Sequence, residues 1–187
     1  MQGKQMETPG ENGGNQHDEI TSCRVLDGCE RHVVLIAPEV HWNTGNIGRT
    51  CLGAGAFLHL VKPLGFSLGS KEVKRAGLDY WHKVKLHVWD DFDSFHNGMT
   101  PSPSELVFFS KTGRRSVFEL PASKRLFLVF GSETKGLPSV FLEANDHRLF
   151  NIPITGDIRS LNLSTSVGIA LYESLRGTGF GNFWSES

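Results

Sequence analysis

Apolar residues in this chain gather in short runs, separated by polar stretches that carry glycine or proline. Val33-Val34-Leu35-Ile36-Ala37 reads as a buried strand that stops at Pro38. Phe57-Leu58-His59-Leu60-Val61 reads as a second strand, ended by Lys62-Pro63. Further strands are predicted over 85–89, 106–109, 126–130 and 149–154. Between these runs the spacing becomes helical. Asn43-Thr44 offers an N-cap to a helix over 45–54, and short helices are expected over 70–76, 91–96 and 138–144, where Pro138 suits a first turn. A last helix fits 161–176, because Leu163, Val167, Ala170, Leu171 and Leu175 recur at helical spacing. Strands alternating with helices predict an α/β fold: a largely parallel six-stranded sheet with helices on both faces. In such sheets ligands bind beyond the carboxyl ends of the strands.

The first 30 residues do not share this pattern. They are polar and Gly-rich, and read as a disordered acidic tail ahead of a single domain over 31–187. Charge supports the division. The formal net charge is −1, yet residues 1–31 hold six acids and three bases, which leaves 16 bases against 14 acids in the remainder. Basic clusters fall at Lys71, Lys74 and Arg75, at Lys83 and Lys85, and at Lys111, Arg114 and Arg115. Each could be solvated surface. Several on one face would make a phosphate-binding surface. Three cysteines without a C-x-x-C pair suggest neither a disulfide framework nor a zinc site, and the histidines show no metal-binding spacing, so no metal is expected. No apolar run reaches the roughly 18 residues of a membrane span. Cysteine usage and the lack of a signal-peptide core point to the cytoplasm.

Three Gly- or Asn-marked segments follow predicted strands and would lie at the ligand edge. They are Asn43-Thr44-Gly45-Asn46-Ile47-Gly48-Arg49-Thr50, then Gly131-Ser132-Glu133-Thr134-Lys135-Gly136-Leu137-Pro138, then Ile152-Pro153-Ile154 continuing through Gly156 to Arg159-Ser160-Leu161-Asn162-Leu163-Ser164. One such segment alone is an ordinary turn. Other Gly-rich chemistries fail: Gly53-Ala54-Gly55 precedes a strand instead of following one, and neither a P-loop nor a G-x-S-x-G elbow occurs.

In order and spacing, these segments resemble the three motifs of the SPOUT RNA methyltransferases, in the SpoU/TrmH branch. Pro38-Glu39, Asn43-Thr44-Gly45-Asn46, Arg75-Ala76-Gly77-Leu78-Asp79-Tyr80 and Gly-x-Glu-Thr-x-Gly-Leu-Pro are most similar to the subgroup that methylates the tRNA wobble ribose at cytidine or uridine 34. The resemblance runs from about residue 33 to 181. It implies a C-terminal trefoil knot, S-adenosyl-L-methionine as cofactor, tRNA as substrate, and a homodimer whose two subunits meet at the active site. Another tRNA position, ribosomal RNA, or a catalytically silent RNA-binding role are the alternatives.

Carried onto this chain, the resemblance places Phe109, Gly131, Ile152, Ser160 and Leu161 around the cofactor. Adenine needs an apolar slot and backbone hydrogen bonds, which these residue types can give. Arg49, Asn162 and Glu133 are the expected catalytic set. A guanidinium stays charged in proteins, so Arg49 is better suited to hold an RNA phosphate and a forming alkoxide than to act as a base. Asn162 would orient Arg49 or the ribose, or cap a helix. Glu133 would organise the pocket or fix its loop. Asn43, Asn46, Arg159, Lys74 and Arg75 are expected on the RNA side. Tyr172 suits core or dimer packing. His41-Trp42 replaces the two prolines usual in the wobble subgroup, and Trp42 could stack on a base or cover a knot or dimer surface.

Overall fold

The computed structural model of the protein describes residues 29–68, 80–176 and 178. Residues 1–28 of the expected tail, the helix over 70–76 and the Lys71, Lys74 and Arg75 cluster lie outside the described residues, while Glu30, at the tail's expected end, opens the first strand. The sheet has seven strands: β1 (Glu30–Ile36), β2 (Phe57–Val61), β3 (Lys85–Trp89), β4 (Leu106–Phe109), β5 (Arg115–Ser116), β6 (Arg125–Phe130) and β7 (Leu149–Asn151). Its order is β3-β2-β1-β6-β4-β7-β5, and every pairing is parallel. The expected count of six is therefore corrected by one. β5 is two residues long and polar, so it carries no apolar run to betray it; it pairs at the edge with Phe150 and Asn151.

Alternate residues of the central strands face opposite ways, and each face is covered. On one side Val33, Leu35, Leu58, Leu60, Leu126 and Leu128 pack against α1 (His41–Gly53) and α4 (Leu163–Leu175) through Ile47, Cys51, Val167, Ala170 and Leu171. On the other, Val34, Ile36, Phe108, Phe127 and Val129 meet Phe95 of α2 (Phe92–Met99) and the partly buried Phe141 and Leu142 of α3 (Ser139–Ala144). α1 begins four residues before the expected Gly45, with Val40 at its N-cap and no capping side chain. Asn43 and Thr44 are instead buried within its first turns. At the far end of α4, the buried Arg31 donates to the carbonyl and hydroxyl of Ser174 and to the carbonyl of Lys124. This places a cation at a helix C-terminus. Among the described residues, no helix is long and apolar enough to cross a membrane.

A polar chain runs through the second layer. The Trp89 indole N–H, which can only donate, lies 3.0 Å from His59 Nδ1, and His59 Nε2 lies 3.0 Å from His32 Nδ1. The proton on His59 therefore sits on Nε2 and is donated to His32. The His32 proton then faces the Glu30 carboxylate, 3.5 Å from Nε2. Both rings must be neutral for this pattern. Burial lowers the pKa of His32 to about 4 and that of His59 to about 3. Below the ordinary value near 6.5 the unfolded chain takes up two protons that the native state refuses. Stability is thus fully present above pH 7 and falls as pH drops from 6.5 toward 4 for His32 and toward 3 for His59, by about 2 kcal/mol per histidine at pH 5. Urea unfolding at pH 7.5 and pH 5 measures this. Equal stabilities would contradict the assignment.

Candidate active site

Three loops leave the carboxyl ends of β4, β6 and β7 and enclose a cleft of about 680 Å³. Phe109 closes β4 and Phe130 closes β6; their buried rings stack face to face, 4.6 Å apart and 6° from parallel. The segment after β7 brings Ile152, Ile154, Ser160 and Leu161 to the opposite wall, and Lys111 stands on the rim. Walls of aromatic and aliphatic carbon, with backbone groups exposed at strand ends, suit a flat heterocycle with polar edges.

The loop after β6 is a tight turn. Ser132 and Gly136 exchange backbone hydrogen bonds of 3.2 and 2.9 Å, and Gly136 takes a φ of +68°. The return strand passes so close that a Cβ on Gly131 would lie 1.9 Å from the Gly136 carbonyl carbon. Glycine at 131 therefore serves the turn's closure on itself, and through that the cleft it lines.

A hydrogen-bond chain joins the three motif segments. Glu133 Oε1 accepts from Asn43 Nδ2 at 3.0 Å, and Asn43 Oδ1 accepts from Asn162 Nδ2 at 3.0 Å. Asn162 Oδ1 in turn accepts from the backbone N–H groups of Ser164 and Thr165, at 2.8 and 3.4 Å, and so caps α4. Glu133 Oε2 accepts from the Glu39 N–H at 2.8 Å. A single carboxylate thus fixes the start of α1, the turn after β6 and, through Asn43, the start of α4. These segments lie 90 and 119 residues apart in pairs.

A model of the SpoU rRNA Methylase family matches residues 30–172. The chain belongs to the SpoU methylase family. A Burkholderia cenocepacia protein named tRNA (cytidine(34)-2′-O)-methyltransferase is 42% identical over 151 residues, 80% of this chain and 96% of that protein. A Listeria innocua protein is 46% identical over 158 residues, 83% of this chain and 92% of that protein, and carries the same activity as a provisional name. A solved structure described as giving insight into 2-OH methylation of C/U34 on tRNA superposes with a TM-score of 0.72 at 41% identity, covering 80% of this chain and 96% of that one. An AdoMet-bound rRNA methyltransferase from Sinorhizobium meliloti superposes with a TM-score of 0.71 at 28% identity, covering 81% of this chain and 57% of that longer one.

Within this SpoU-family framework, Lys74 and Arg75 lie outside the described residues, and the other sequence-predicted residues fall into two groups. Phe109, Gly131, Ile152, Ser160, Leu161, Glu133, Asn162 and Asn43 all line the cleft. Arg49, Asn46 and Arg159 do not, although all three are exposed. Arg49 lies on α1 with its guanidinium 4.6 Å above the Tyr80 ring. Asn43, expected on the RNA side, is 4% exposed, with both ends of its amide bonded inside the chain. The basic cluster near β5 is partly spent internally. Arg114 pairs with Asp146 at 3.3 Å, and Arg115 covers the Phe150 ring. Sequence reasoning did not foresee the Glu39–Thr134 contact, and it named Lys111 only as part of a basic cluster, not as a residue of the cleft.

Proposed function

We propose that this protein transfers the methyl group of S-adenosylmethionine to the ribose 2′-oxygen of nucleotide 34 in tRNA. The observation that carries it is the convergence of the three motif segments on one cleft, in a SpoU-family chain. Relatives 42% and 46% identical to it over 151 and 158 aligned residues are named for this activity.

The cofactor supplies an electrophilic methyl on a positive sulfur. The cleft fits it in size, since small-molecule sites run to roughly 300–1,000 Å³, and in lining. Phe109, Leu161 and Ile152 would hold the adenine, with Gly131 and Ser160 beside the polar edges. The chain's own task is then alignment and exclusion of water, worth roughly 7–11 kcal/mol. Arg49 would bind the RNA phosphate and stabilise the 2′-oxygen as its proton leaves to water or to a phosphate oxygen. Asn162, Asn43 and Glu133 keep the start of α1 and of α4 in register with the cleft.

Because Arg49 does not line the cleft of its own chain, we assign it to the cleft of a second copy in a homodimer. Apolar side chains on α4 support this: Ile169 and Tyr172 are 37% and 49% exposed. The trefoil knot belongs to the same proposal. It is supported by the interleaved order β6-β4-β7-β5 and by the return of the chain after β7 to pack α4 against α1. With tRNA as substrate, the protein would work in the cytoplasm.

Trp42 lines the mouth of the cleft, with His41 edge-on at 4.8 Å. Trp42→Ala will cost about 1–3 kcal/mol of RNA affinity, the value of one base–aromatic stack, and Trp42→Phe will recover most of it. Filter binding of tRNA measures both. The assignment as a whole is tested by calorimetry with S-adenosylmethionine and by methyl transfer from labelled cofactor to total tRNA. A folded protein that neither binds the cofactor nor labels RNA would reject it.

A further inference from the structure

Glu39 stands outside the three motif segments, yet three loops meet on it. Its backbone is held from two sides. Ala37, at the end of β1, turns the chain with φ 50° and donates its N–H to Val61 O at 2.9 Å. Gly65, beyond β2, donates to Pro38 O at 2.9 Å and lies so close that a Cβ there would be 2.6 Å from the Glu39 carbonyl oxygen. The Glu39 N–H donates to Glu133, as described above. The half-buried Glu39 side chain then reaches the turn after β6. Its Oε1 accepts from Thr134 Oγ1 at 2.8 Å and its Oε2 from the Thr134 N–H at 3.2 Å.

The result is a reciprocal clasp: Glu133 reaches from the turn to the β1 loop, and Glu39 reaches from the β1 loop to the turn. Within the turn, the bonds lie at its base, between Ser132 and Gly136 and from Lys135 N–H to Ser132 Oγ. Thr134, nearer the tip, directs both its donors at Glu39. We propose that Glu39 is a positioning residue for cofactor binding, acting through Thr134 to hold the turn 132–136 against the cleft. This rests on the reading of the cleft as the S-adenosylmethionine site.

A turn released at its tip samples positions in which the cleft wall is displaced. The cost falls on cofactor capture and not on the chemical step, because Glu39 is not among the residues that line the cleft. Glu39→Ala will raise the calorimetric Kd for S-adenosylmethionine, and its KM, about tenfold, the scale of a lost hydrogen bond to a charged group. Turnover at saturating cofactor will stay within about threefold of wild type, since uniform binding is what is lost. Thr134→Val will show the same split, Thr134→Ser will restore wild-type affinity, and the double variant Glu39→Ala/Thr134→Val will be no worse than either single one. Thr134 is exposed, so its variants keep the test decisive should Glu39→Ala fail to fold. Wild-type cofactor affinity in Thr134→Val would overturn the proposal. So would a fall in turnover with Kd unchanged, or a Thr134→Ser variant as weak as Thr134→Val. If the wild-type protein itself binds no S-adenosylmethionine, the reading of the cleft fails instead.

Discussion

Arg49→Ala will lose about 10²–10³-fold in turnover, the cost of removing a charge or donor aimed at a developing oxyanion. Its affinity for S-adenosylmethionine will stay close to wild type. The two effects separate because Arg49 does not line the cleft of its own chain and lies over the Tyr80 ring instead. Mixed dimers make the argument sharper. Arg49→Ala subunits, with an intact cleft, can be mixed with subunits whose cleft is spoiled but whose Arg49 is present. If Arg49 acts across the interface, each mixed dimer contains one complete composite site. Random mixing of two inactive proteins then recovers about a quarter of wild-type activity, as a two-fold dimer requires. Recovery of nothing would mean that Arg49 serves its own chain. Collapse of cofactor binding in Arg49→Ala alone would mean that it belongs to the pocket.

The second large effect is expected at Gly131, and it supplies the spoiled cleft for that mixture. A methyl group at 131 would lie 1.9 Å from Gly136 C, 2.1 Å from Gly136 O and 2.1 Å from Leu137 N. All three are backbone atoms, so no side chain can swing away. The turn must move, at a cost of about 1–3 kcal/mol of stability, as for an overpacked core. Displacing a cleft wall by an ångström is worth about 10²-fold in function. Gly131→Ala should therefore weaken cofactor binding by about that factor and lower the Tm. Gly156→Ala is the control, because nothing lies within 4 Å of the added Cβ there. Equal cofactor affinity in the two variants would show that the turn after β6 does not shape the site.

What the chain revealed in advance follows from which interactions are local. The strands at 33–36, 57–61 and 126–130 announce themselves because burial on both faces demands unbroken apolar runs. β5 stayed hidden because an edge pairing of Arg115 and Ser116 demands no such run. The resemblance named Phe109, Gly131 and Ile152 together, and all three line one cleft, each at or just beyond a strand end. Asn43, by contrast, was misplaced. Its residue type suits a local cap, but its amide is bonded to Glu133 and Asn162, 90 and 119 residues away. The Glu39–Thr134 contact, 95 residues apart, leaves no local trace either. The proposed knot lies further still from what periodicity can express, since a knot depends on the order in which parallel strands are threaded and not on their composition.

The most direct test is to map the modification. A ribose 2′-O-methyl group blocks attack of that oxygen on the adjacent phosphate, so the modified linkage resists alkali. Unmodified tRNA incubated with the protein and S-adenosylmethionine, then hydrolysed in alkali, should give one new protected linkage, 3′ of nucleotide 34, absent when Arg49→Ala replaces the wild type. Protection at another tRNA position, or only in ribosomal RNA, would contradict the wobble assignment while leaving the methyl-transfer chemistry in place. No protected linkage in any RNA would contradict the central claim.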